Sequence, residues 1–171
     1  MKLLAALCVA TAALAAGACA SGATKLTASC SGNQLTGTFK VVPGSPGAGN
    51  IVYRISVVNK STTTCTLTGI PLVTLHGKTG KAQPTKRVPA FRPGLTAVLV
   101  TLTPHTGAHA TARFSPDVPG PGEGNRSQCE PKSYWLYLTG RSGGLAKLPI
   151  KPPTPVCEHG QLQLSVYGPG R

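Results

Sequence analysis

The feature that most constrains this chain is an alternation of apolar and polar residues with a period of two. It recurs in short runs, and no window of helical length shows a period of 3.6. In "QLTGTFKVV", Leu35, Phe39 and Val41 fall on one face, opposite Thr36, Thr38 and Lys40. "NIVYRISVV" lines up Ile51, Tyr53, Ile55 and Val57, and "PLVTLHG" adds Val73 and Leu75. "GAHATARF" sets Ala108, Ala110, Ala112 and Phe114 against His109, Thr111 and Arg113. "YWLYL" contributes Leu136 and Leu138, and "QLQLSVY" contributes Leu162, Leu164 and Val166. "LTAVLVTL", Leu95 to Leu102, is apolar on both faces and reads as a central strand. Successive side chains of a strand point to opposite faces, so each alternating run must bury one side and wet the other.

Glycine and proline punctuate these runs, at "PGSPGAG", "GKTGK" and "RPG". About seven short strands at such spacing, rich in Thr and Val, predict an antiparallel β-sandwich. Residues 29–171 form one domain in this reading, long enough to bury close to 70 % of its unfolded surface. Two segments read as poorly ordered: "SPDVPGPGEGNRSQ", and the four-proline "KLPIKPPTPVC", which should run extended into its cysteine.

The first twenty residues read as a secretory signal, with Lys2 ahead of an apolar run from Leu3 to Ala16. That run is too short to span about 30 Å of hydrocarbon. "AGAC" offers a lipobox ending at Cys19, whose thiol would carry a lipid; alternatively, cleavage falls before Ser21. Residues 21–28 then form a short tether. Export to an oxidising compartment leaves Cys30, Cys65, Cys129 and Cys157 as candidates for disulfides. Four cysteines allow three connectivities, and spacing does not choose among them. Sequential pairing would close two loops of about thirty residues, each contributing about 3.5–4 kcal/mol.

"VVNKSTTTCTLTGIPLV" joins two of the strands. Asn59 can cap a turn through its own backbone, Gly69 permits a positive φ, and Pro71 opens a strand without a ladder donor. This block, "NKSTTTCTLTGIPLVTL", resembles the signature of domain-of-unknown-function family 4232, secreted and lipoprotein domains found mostly in actinobacteria. Ile70 stands where that family usually has Tyr. The resemblance continues through "HATARFS", "SQCEP" and "VCEHGQLQLSVY", covering most of Ser29 to Tyr167. It implies an immunoglobulin-like β-sandwich with Cys30–Cys65 and Cys129–Cys157 disulfides. It brings no activity and no catalytic residues.

Charge is lopsided, with seventeen Lys and Arg against four acids and a net charge of +13. Such a field favours anionic partners and says nothing of fold. The acids, Asp117, Glu123, Glu130 and Glu158, do not form the spaced carboxylate pair of a glycosidase, and no G-x-S-x-G elbow or phosphate loop is present. His105 and His109 have zinc-like spacing, and "CEH" places Cys157 beside His159. Without a further cysteine or acid nearby these read as solvent-facing histidines, so no metal and no cofactor is expected. A signal peptide carries the basic chain away from nucleic acid. Lys78, Lys81, Lys86, Arg87 and Arg92 cluster without an acid, a candidate contact for anionic wall polymer or lipid headgroups. Trp135 and Tyr137 share the face opposite Leu136, to pack between sheets or to meet a ligand.

The expectation is a non-catalytic envelope module, secreted or tethered at the cell surface by lipid, with an unidentified envelope protein as a further partner. The alternatives are an envelope hydrolase with an unrecognised active site and an extracellular metal-handling protein.

Overall fold

The computed structural model describes residues 26–90, 97–124, 129 and 131–170. The expected signal at 1–20, Cys19, residues 21–25 of the tether, Arg92 and Glu130 lie outside the described residues. Ala28, expected in the tether, already belongs to the folded body: its carbonyl accepts from the Thr66 N–H at 2.9 Å.

The strands are β1 (Leu35–Val41), β2 (Ile51–Asn59), β3 (Cys65–Leu67), β4 (Val73–His76), β5 (Lys86–Pro89) and β6 (Val100–Leu102). They continue with β7 (Gly107–Phe114), β8 (Ser133–Thr139), β9 (Leu145–Thr154), β10 (Gln161–Leu164) and β11 (Gly168–Pro169). Hydrogen bonding orders them β4-β8-β9-β1-β2-β7-β10-β5, with β11 beside β7 and β3-β6 as a separate pair. The result is an all-β, sandwich-like fold stapled by two disulfides, Cys30–Cys65 and Cys129–Cys157. Strand β9 joins the two parts of the sheet: residues 145–149 pair with β8, and Ile150 and Lys151 run parallel to Phe39 and Lys40 of β1. Strands β10 and β5 are also parallel, so the antiparallel expectation holds for most of the ladder and fails at these two pairs.

Alternation delivers the core. Leu35, Phe39, Tyr53, Ile55, Val57, Val73, Leu75, Ala108, Ala110, Ala112, Phe114, Leu136, Leu138, Leu162 and Leu164 are all buried. Three small alanines on β7 leave room for Phe39, Tyr53 and Phe114, whose rings meet at 4.9 and 5.2 Å between centroids. The Tyr53 hydroxyl donates to the Pro152 carbonyl at 2.9 Å, which satisfies the one polar atom of that cluster.

Three expectations change. Of the run Leu95 to Leu102, the described residues start at Ala97 and only Val100–Leu102 is a strand, which pairs with β3 rather than lying centrally. Val98 and Leu99 are 56 % and 63 % exposed. The partner β3 has three residues, between the Asn59 turn and the Gly69 corner, so the ladder cannot extend. The proline-rich "KLPIKPPT" is extended as expected but well placed, because it is the body of β9. At the C-terminus Tyr167, not Val166, completes the buried set, since β10 ends at Leu164.

Candidate anion-binding site

The arm that follows β4 turns at Gly77–Gly80, where the Gly80 N–H donates to the Gly77 carbonyl and Gly80 takes φ 84°. The arm returns along β4: the Gln83 N–H donates to the Leu75 carbonyl, and the Leu75 N–H donates to the Thr85 hydroxyl at 2.8 Å. Gln83 then ties the arm to the strand opposite. Its amide nitrogen donates to the Pro131 carbonyl and its amide oxygen accepts from the Ser133 hydroxyl. Between the arm and residues 131–134 lies a cleft of about 570 Å³, with Lys78, Lys81, Lys132 and Tyr134 among its walls.

The expected basic cluster therefore divides. Lys78 and Lys81 line the cleft, whereas Lys86 and Arg87 are exposed on β5 and are not among its walls. Arg92 lies outside the described residues. Lys132 and Tyr134 join the cleft from a segment about fifty positions further on, a separation that no local charge count bridges. Among the described residues no lysine or arginine is ion-paired with another described carboxylate; the ion pair there is His159 with Glu123.

Trp135 and Tyr137 neither pack between sheets nor stand bare. Lys147 sits 3.9 Å from the Trp135 ring centroid, and His76 stacks on Tyr137 at 3.8 Å. The Gly80 carbonyl can only accept, so His76 Nδ1 donates to it and Nε2 accepts from the Thr74 hydroxyl. This network buttresses the turn that carries Lys78.

The histidines of the zinc-like spacing separate. His105 occupies the turn before β7 with φ 64°, and His109 is half-buried on β7. Cys157 is oxidised. Among the described residues no three His, Cys, Asp or Glu side chains gather as a metal-binding group.

Sequence reading missed Glu123, expected in a mobile loop but buried. The turn Cys157–Gly160 is wound left-handed, with φ of 55°, 57° and 74° at Glu158, His159 and Gly160. Two of its N–H groups, those of Glu158 and His159, donate to the Glu123 carboxylate, and the Gly120 N–H of the facing loop donates to it as well. Burial pushes this carboxyl up, but the three backbone donors and the charge of His159 outweigh it and hold the group below its ordinary 4.5.

Fold and surface together define a small, disulfide-stapled β-sandwich with a basic cleft at one sheet edge. No curated protein and no solved structure matches the chain. The profile of the family described as a domain of unknown function, DUF4232, matches residues 30–167, and the chain belongs to that family.

Proposed function

We propose that the protein is a non-catalytic cell-envelope module, secreted or surface-tethered, that binds anionic envelope components through its basic surface. The observation that carries this reading is the convergence of Lys78 and Lys81 with Lys132 around Tyr134, in a cleft with no acid among the described residues of its walls. Three ammonium groups supply point charges for phosphate or carboxylate, while Tyr134, Pro84 and Pro131 offer apolar area to the group that bears the anion. Two formed disulfides belong to an oxidising compartment, and no helix among the described residues is long and apolar enough to cross a membrane. The signal-like residues 1–20 support export, and Cys19 supports a lipid tether. The non-catalytic part of the reading rests on the carboxylates: Glu123 is held by three backbone N–H groups, and Glu158 accepts from the Gln161 amide.

The test is retention on acidic liposomes and on anionic wall polymer at low and high salt. Charge reversal at Lys78 and Lys81 should abolish retention on the liposomes at low salt, and reversal at Lys86 and Arg87 should leave most of it. Retention unchanged by the first pair overturns the reading.

A further inference from the structure

A second basic surface lies on the outer face of β9, β1, β2 and β7, assembled by register alone. Lys40 is the cross-strand partner of Arg54 on one side and of Lys151 on the other. Partners point to the same face, so these three exposed cations stand in a row across three adjacent strands. Strand spacing of about 4.8 Å spreads the row over about 10 Å. Like charges directly opposite destabilise a sheet, and among the described residues no carboxylate pairs with this row.

Two residues along, a row of donors runs parallel to it. Thr38 partners Ser56, and Ser56 partners His109. Thr38, Ser56, Lys40 and Arg54 thus form one square cell, which lines a groove of about 290 Å³. A larger groove of about 610 Å³ begins at Arg54 and Ser56 and continues past His109 to Gly168. Among the described residues, none of the side chains of Thr38, Ser56, Lys40, Arg54 and Lys151 has a hydrogen-bond or ion-pair partner.

We infer that this face is a platform for the repeated phosphoryl groups of a linear anionic polymer that carries no bases. Two hydroxyls, an ammonium and a guanidinium in one cell offer more donors than the two oxygens of a carboxylate accept, and they suit a tetrahedral phosphoryl group. A row of three cations, with grooves meeting at Arg54, suits charges that repeat along a chain rather than a lone anion. The face carries no Phe, Tyr or Trp among its described residues, so nothing here stacks bases as a single-strand nucleic-acid surface does. The inference rests on the anion-binding reading of the protein but on residues separate from the Lys78–Lys132 cleft.

The experiment uses the exported full chain and four probes: linear polyphosphate, inorganic phosphate, polyuridylate and phosphatidylglycerol vesicles. Affinity is measured across salt for the wild type, for K40S/R54S, and for K78S/K81S/K132S as the cleft control. The expected result is polyphosphate binding that falls about tenfold in K40S/R54S, with a slope against log salt smaller by about 1–2. The cleft variant should keep its polyphosphate affinity, and inorganic phosphate should bind weakly to all. K40S/R54S should melt no lower than the wild type, because it removes a repulsion, which separates lost binding from lost folding. Equal loss in both variants, or preference for polyuridylate or vesicles, overturns the platform. Loss in the cleft variant alone overturns the platform and leaves the proposed function standing. Absence of binding to every probe overturns both.

Discussion

Asn59 shows how much one side chain carries. It is fully buried at the end of β2, where its amide nitrogen donates to the Thr63 and Leu102 carbonyls at 2.8 and 3.1 Å. Its amide oxygen accepts from the Ser61 N–H and hydroxyl. All of its polar capacity is used, and it links the hydroxyl-rich turn to β6. Asn59→Ala should cost roughly 2–4 kcal/mol in chemical unfolding, because buried carbonyls lose their donor. Glu123 predicts a pH dependence instead. Its folded pKa lies below the ordinary 4.5, so its stabilisation is present above that value and is lost as pH falls through the lower folded one. The melting temperature should therefore drop on acidification below about pH 4.5. Glu123→Gln should melt lower at neutral pH and show a flatter acid limb. An unchanged acid limb would mean that the loop is held by other groups.

At the scale of elements, alternation was legible because burial alternates from Tyr53 through Asn59 on β2 and along all of β7, and because Gly69 and Pro71 turn the chain where the pattern breaks. Gly69 takes the positive φ of 73° that the corner needs. What alternation could not convey was partnership. A run apolar on both faces, such as Val98 to Leu102, looks the same whether a long strand or a three-residue one awaits it. The basic cleft was half legible: Lys78 and Lys81 stand in a visible run of charge, but Lys132 reaches them only because β8 pairs antiparallel with β4. The platform was written in three runs whose registers no local pattern specifies. Gly37 bears on those registers. A Cβ there would collide with the Ser56 carbonyl, so the close β1–β2 approach requires glycine. The Cys30–Cys65 disulfide closes the other flank of this unit across 35 residues. Replacing both cysteines by serine should cost about 3–4 kcal/mol, read as a shift of the denaturant midpoint.

For the whole molecule, the proposed export is tested by intact mass, which separates an unprocessed chain from lipidation at Cys19 and from cleavage before Ser21, and a gain of about 4 Da on reduction counts two disulfides. The strand path also has two ends, and they are finished differently. Strand β4 is covered by its own arm through residues 81–85. Strand β5 pairs with β10 on one side, and among the described residues nothing pairs with the other. There the chain presents Lys86, Arg87 and Pro89, the residue types that keep a free strand from templating a neighbour's. At high concentration such gatekeepers decide whether copies stay separate. Lys86→Thr with Arg87→Thr should leave folding intact and produce strand-added oligomers as concentration rises, seen by sedimentation. Part of the positive charge thus serves as a barrier to self-association, whatever the rest of it binds.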